Sequence, residues 1–310
     1  MLKKGSSMSN IIRIENISEL NKSLNQDKPK HPLISIVDFS KIKFQEFENT
    51  EVKKITYNFY SIILKNLVPG SLRYGRNNYD FQDGSLFFMA PDQVWTLENL
   101  NKEDVYGWGL CFHPNLIRGT SLNSKMKEYT FFNYTLNEAL HLSDEEKHTL
   151  SDIIASINNE LNRPIDKHSK AVIVSSIELL LNHCLRYYDR QFITRSEVNK
   201  DVIAKFEEYL TNYFKSEKQE TSGIPTVKQC AEEVHLSPNY LCDLLRKETG
   251  NSTQEHIHYY VLELAKNKLL STKTSVSEIA YDLGFEYPQY FSKLFKKKTG
   301  MTPAEYRNLN

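Results

Sequence analysis

No stretch of this sequence approaches the ~18 consecutive apolar residues of a membrane-spanning helix, so a helical membrane protein is not expected. An excess of one charge is missing too: 39 Lys and Arg balance 39 Asp and Glu. Nucleic-acid binders usually carry a basic excess, so any DNA binding here must rest on local charge. Cysteine is scarce. Cys111, Cys184, Cys230 and Cys242 are scattered and form no Cys-x-x-Cys pair, which argues against a zinc site or a disulfide framework and fits a reducing, cytoplasmic setting. Between about residues 30 and 135 only His31 and His113 occur, too few for a metal-binding barrel. His256-Ile257-His258 lies in a helical stretch, where alternate residues point apart. No metal or cofactor is expected. No nucleophile–base–orienter set stands out either, so an enzyme is not the expectation. The start, Met1 to Met8, has two lysines but no apolar run behind them, and residues 1–28 read as a disordered or extended segment rather than a signal peptide.

What is present falls into regions. From about 30 to 135, aromatic and β-branched runs alternate with turn residues, as in Thr56–Leu64, Ser85–Met89 after Asp83-Gly84, and Tyr106–His113. Short strands with frequent turns predict an antiparallel sandwich or barrel. From about 143 the period becomes helical. Ser143 and Glu146 form a capping signature, followed by Leu150, Ile153, Ile154, Ile157 and Leu161. That stripe reads equally as core or as a dimer seam. A second helix over about 169–188 carries Ile177, Leu180, Leu181, Cys184 and Leu185 on one face and is the other place for such a seam. A third runs over about 199–214. The polar segment Lys215 to Gly223, before Pro225, reads as a linker. The division expected is 29–190 for a strand-rich domain with trailing helices, 191–224 for helix and linker, and 225–310 for an all-α domain.

After that linker the chain repeats itself. Val227, Ala231 and Val234 correspond to Val276, Ala280 and Leu283 at an offset of 49. Pro238, Tyr240, Leu244, Lys247, Thr249 and Gly250 correspond to Pro288, Tyr290, Leu294, Lys297, Thr299 and Gly300 at an offset of 50. The extra residue falls in a turn, which predicts two copies of a helix-turn-helix. In copy two, Ser275 and Glu278 cap the first helix, Ala280 permits a close helix crossing and Gly284 ends the helix. Phe291, Leu294 and Phe295 face inward, which turns Gln289, Ser292, Lys293 and Lys296 outward. In copy one Leu241, Leu244 and Leu245 face inward, leaving Asn239, Cys242, Asp243 and Arg246 outward. Such faces, over about 238–248 and 288–298, suit the major groove of double-stranded DNA. The run Lys293, Lys296, Lys297 and Lys298 is free of carboxylates and suits phosphates. Tyr57, Arg73, Tyr74, Arg76, Trp95 and Trp108 line an effector pocket or fill the core. An inward arginine would need an anionic partner.

The runs Ser277-Glu278-Ile279-Ala280-Tyr281-Asp282-Leu283-Gly284-Phe285, Tyr290 to Lys297 and Thr299 to Arg307 resemble the signature of the AraC/XylS family of transcription regulators over about the last 85 residues. Gly70 to Pro91 and Trp108 to Thr120 are similar, less specifically, to that family's cupin-like sensor domain. The resemblance implies a two-domain α+β chain, with a cupin-like β-barrel and trailing helices ahead of a tandem helix-turn-helix domain. It also implies a small-molecule effector, a homodimer, contact with RNA polymerase, and activation more often than repression. The family's base-reading positions fall on Asn239, Cys242 and Asp243, and on Gln289, Ser292 and Lys293. Two departures point to a weaker first unit: Asp243 stands where a basic or amide residue is common, and Val261 where an arginine is usual.

Overall fold

The computed structural model describes residues 11–41, 53–66, 84–97, 106–135 and 138–309. The chain divides into two compact units, residues 1–191 and 192–310.

The first unit opens with strand β1 (Ile11–Ile14) and helix α1 (Ile17–Ser23), capped by Asn16, whose side chain accepts from the Glu19 N–H. Strands follow: β2 (Ile34–Asp38), β3 (Lys53–Tyr57), β4 (Tyr60–Asn66), β5 (Ser85–Met89), β6 (Val94–Leu97) and β7 (Tyr106–Phe112). Two short helices, α2 (Pro114–Ile117) and α3 (Ser121–Lys125), lead to β8 (Leu140–His141), and then to α4 (Asp144–Leu161) and α5 (Ser169–Thr194).

The strands form a three-stranded sheet, β1-β3-β6, and a five-stranded sheet, β2-β7-β4-β5-β8. In the five-stranded sheet Ile62 pairs with Phe88 and Leu110, and Leu64 with Leu86 and Trp108. With a side-chain period of two these residues share one face. That face packs on helices: Phe88 lies 6.0 Å from Tyr188 of α5, ring to ring, and the Trp108 indole donates to Ser151 of α4 at 3.4 Å. The opposite face places Val37 and Cys111 in one cluster with Ile14, Ile17, Leu20, Ile55 and Phe59. At Gly107, with φ +134°, a Cβ would come within 2.0 Å of the Leu64 carbonyl oxygen, so β7 can lie against β4 only with glycine there.

Several expectations are changed or resolved. The cupin-like barrel is replaced, among the described residues, by two open sheets: β2 and β8 form the edges of one, β1 and β6 those of the other. Among the described residues, the apolar cluster around Ile17 and Phe59 joins the layers. Residues 11–23 are not disordered, because β1 pairs in parallel with β3 and Ile17 and Leu20 are buried in the cluster on that face. The apolar stripe of α4 is core: Leu150, Ile153, Ile154 and Ile157 are all buried. Leu185 of α5, expected inward, is exposed.

The second unit is helical: α6 (Ser196–Lys215), α7 (Lys218–Ser222), α8 (Val227–Glu233), α9 (Pro238–Thr249), α10 (Thr253–Ser271), α11 (Val276–Asp282), α12 (Pro288–Thr299) and α13 (Pro303–Arg307). Capping boxes start four of them, at Thr226/Gln229, Ser252/Glu255, Ser275/Glu278 and Thr302/Glu305. One core cluster joins Tyr213 and Phe214 of α6, Val261, Leu262, Ala265 and Leu269 of α10, Ile279 and Ala280 of α11, and Phe291 and Phe295 of α12.

The segment expected as a linker carries α7. Gln219 is buried there and its Nε2 donates to the Asp282 carbonyl at 3.2 Å. A Cβ at Gly284 would meet Gly223 C at 2.9 Å, so the chain beside α7 lies directly against the turn of the second repeat. Composition misled here: Lys215 to Gly223 is polar overall, but Gln219 can satisfy a backbone carbonyl while buried.

Candidate nucleic-acid interface

The two repeats are built by the same local rules. Ser237 caps α9 by accepting from the Tyr240 N–H, Pro238 occupies the first turn, and Gly250, at φ 79°, ends the helix. Helix α12 begins with Pro288 and ends at Gly300, at φ 82°. Its N-cap is Tyr287, whose side chain makes no capping hydrogen bond. In α9, Tyr240, Leu241, Leu244 and Leu245 are buried; in α12, Phe291 and Phe295 are, with Leu294 packed against the same core. Alanines cross the helix pairs closely: Ala231 in α8 and Ala280 in α11 are each fully buried.

The outward faces differ. On α12, Gln289, Lys293, Lys296 and Lys297 are exposed and Ser292 is half-buried. The helix carries Lys293, Lys296, Lys297 and Lys298 and no carboxylate. Lys298 is the exception within the run. Its Nζ is 3.3 Å from Glu255 Oε1 and 4.7 Å from the Tyr259 ring centroid, so it braces α12 against α10. Glu255, which also accepts from Ser252, is held down to about 2 by the Ser252 backbone N–H first, then the Ser252 hydroxyl and Lys298.

On α9, Asn239, Cys242 and Asp243 are half-buried, whereas Arg246 and Lys247 are exposed. Arg246 lies 3.9 Å from Asp243. The helix carries Asp243 and Glu248 beside Arg246 and Lys247, so its cations are offset by carboxylates. Val261, at the position where the family resemblance implies arginine, is fully buried in the core cluster of α10.

Three exposed tyrosines were not singled out from the sequence: Tyr281, Tyr287 and Tyr290, at 55%, 48% and 64% exposure. The Tyr287 and Tyr290 rings meet at 5.7 Å beside Gln289. No sequence signal separates them from core aromatics: Tyr240, at the position in α9 that corresponds to Tyr290, is buried. The paired histidines make separate contacts: His256 Nε2 with Thr249 Oγ1 at 2.7 Å, and His258 Nε2 with Gln254 at 2.8 Å.

Of the residues considered for an effector pocket, Arg73, Tyr74 and Arg76 lie outside the described residues. Trp95 is known by its register, opposite Ile55. Tyr57 is half-buried in the three-stranded sheet, and burial, then Cys111, push its hydroxyl up to about 12. Trp108 points to the helix side of the five-stranded sheet. The structure therefore does not gather Tyr57 and Trp108 at one place.

Residues 230–309 match a family model described as a helix-turn-helix domain. An uncharacterized HTH-type transcriptional regulator of Escherichia coli, YijO, is 29% identical over 157 residues, 51% of this chain and 52% of that protein. The xylose operon regulatory protein of Escherichia coli is 37% identical over 84 residues, 27% of this chain and 21% of that one. Among solved structures, the C-terminal domain of the two-component response regulator yesN from Fusobacterium nucleatum is 32% identical, covering 33% of this chain and 96% of that one, with a TM-score of 0.29. The chain spans about half or less of the length of the curated relatives it matches. Residues 230–309 therefore form a helix-turn-helix domain similar to that of AraC-type transcription regulators.

Proposed function

We propose that this protein is a sequence-specific DNA-binding transcription regulator of the cytoplasm that places α9 and α12 in successive major grooves and responds to a small-molecule effector. The observation that carries the reading is the outward face of α12: Gln289 and three exposed lysines with no carboxylate, on a helix fixed between Pro288 and Gly300. Asn239, Cys242, Asp243 and Arg246 read the other half of the site, and Gln289, Ser292 and Lys293 read bases through α12. Helix α10, with 19 residues, rises about 28 Å at ~1.5 Å per residue, which matches the ~34 Å of one DNA turn once the flanking helices are added. Its offset charge makes α9 the weaker contact. By family similarity we propose activation, with RNA polymerase as a protein partner.

We propose a homodimer through α5. Val172, Ser175, Leu179, Asn182 and Arg186 follow a three-four spacing and are exposed, in line with the a and d positions of a coiled-coil seam. Val172 and Leu179 supply apolar knobs at 45% and 50% exposure.

Binding to DNA from upstream of its own gene, followed by fluorescence anisotropy against salt, tests the reading. Tight binding that falls with salt and weakens in Lys293→Ala supports it; binding indifferent to Lys293→Ala and to Asn239→Ala overturns the assignment of the recognition helices.

A further inference from the structure

The face of the five-stranded sheet turned away from α4 and α5 carries a short polar row. Lys65 of β4 is opposite Ser85 of β5, and Ser85 is opposite His141 of β8. Directly opposed residues hold their Cβ atoms about 5 Å apart, so the three side chains are neighbours across three adjacent strands. Ser85 is 3% exposed and its hydroxyl lies 3.2 Å from His141 Nδ1. On the other side of β4, Lys65 is opposite Gly107, which offers no side chain.

Lys65 itself is half-buried and, among the described residues, stands in no hydrogen bond or ion pair. Burial holds its ammonium below the usual lysine range. On this face Ser61 contacts Cys111 Sγ at 3.4 Å, and Ser85 contacts His141. An ammonium drawn out of water with no counter-charge costs free energy, and a bound anion removes that cost. Lysine, hydroxyl and imidazole together offer donors to one small oxyanion.

We infer that Lys65, Ser85 and His141 form a binding site for a small carboxylate or phosphate anion. The inference rests on the proposed effector response and names its ligand class. Lys65 pairs with the anion's charge, and the hydrogen-bonded Ser85–His141 pair donates its remaining proton to one of the anion's oxygens, from the Ser85 hydroxyl when His141 Nδ1–H donates to Ser85. The site is separate from Tyr57, which belongs to the other sheet, and from Trp108, on the opposite face of the same sheet.

The test uses the full chain, with inorganic phosphate and succinate as probes and chloride at matched ionic strength as control. Thermal unfolding of wild type, Lys65→Met, Ser85→Ala and Lys293→Ala is followed with each. A ligand bound only by the folded state raises the midpoint. One probe is expected to raise it in wild type and in Lys293→Ala, which sets aside phosphate held by α12. The rise is lost in Lys65→Met, whose affinity falls on the order of tenfold or more, and is reduced in Ser85→Ala. Which probe acts separates carboxylate from phosphate. A rise retained in Lys65→Met, or no rise with either anion in wild type, overturns the site. If Lys65→Met does not fold, NMR of methyl-labelled lysines decides: the Lys65 signal titrates below the other lysines and moves up with the active anion, and an unmoved signal overturns the site. DNA anisotropy with and without the anion separates the two layers. An anion that binds through Lys65 without changing DNA affinity refutes the effector response and leaves the site standing. A change in DNA affinity that persists in Lys65→Met sinks the site and leaves the response.

Discussion

The Asn199 side-chain amide, buried in the second unit, donates to Glu248 Oε1 at 2.7 Å and to the Phe192 carbonyl at 2.9 Å. It ties α6 to the last turn of α9 and to the residues before α6. Phe192 adds a ring contact with Tyr240 of α9 at 5.1 Å. The helix-turn-helix module therefore leans on residues well before its sequence signature.

Two outcomes are expected from that arrangement. Asn199→Leu leaves the Phe192 carbonyl and the Glu248 carboxylate without their donor, and costs about 1–3 kcal/mol, read by urea unfolding of the full chain. A fragment of residues 192–310 unfolds cooperatively, whereas one of residues 225–310 lacks Phe206, Tyr213 and Phe214 and does not. A cooperative transition in the shorter fragment would show that α6 is dispensable.

The repeat itself was legible because its rules are local. Ser275 with Glu278, Phe291 with Phe295, and Gly284 after Leu283 act within one or two helical turns, and each has the expected role in the structure. What was not legible is non-local. The parallel pairing of Ile11–Ile14 with Lys54–Tyr57 joins segments about forty residues apart, and nothing in residues 11–23 announces it. The same holds for α4 and α5. Both have apolar stripes, and only the packing shows that the stripe of α4 is core while α5 keeps a second line of residues exposed. At the candidate interface, helical period gave the outward direction of Asn239, Cys242 and Asp243 but not their partial burial, which depends on what packs beside α9.

Each exposed lysine of α12 that neutralises a phosphate releases condensed counterion. Replacing Lys293, Lys296 and Lys297 together by Ala is expected to lower the slope of log affinity against log salt by roughly 0.9 for every phosphate left without its lysine. Lys298→Ala is expected to change the slope less, because its charge is already spent on Glu255 and Tyr259. Anisotropy at four salt concentrations checks both, and equal slopes for the triple variant and wild type would remove α12 from the phosphate backbone.

Leu179 lies half-exposed midway along the outer line of α5. Leu179→Arg places a charge in the proposed seam and is expected to convert dimer to monomer in sedimentation velocity, with the unfolding midpoint of the isolated monomer little changed. A dimer that persists in Leu179→Arg would place the interface elsewhere.

Glu255 gives a pH dependence of definite sign. Its carboxyl, ordinarily near 4.5, is held at about 2 in the folded chain, by the Ser252 N–H first and then by the Ser252 hydroxyl and Lys298. The folded state therefore binds the proton less readily than the unfolded state, and stability rises with pH wherever the unfolded state holds more protons. The contribution is complete above pH 4.5 and is lost as pH falls toward 2. Because the carboxyl is solvent-facing, salt screens part of the effect. Glu255→Gln keeps a cap acceptor for Ser252 but has no proton to gain, so its stability should fall less steeply than wild type between those two values. Urea midpoints for both proteins across that range measure the difference. Parallel curves would mean that the Ser252–Glu255–Lys298 contacts form no stronger with the carboxylate than with the acid, and that α12 is braced against α10 by the Lys298–Tyr259 contact and the apolar core alone.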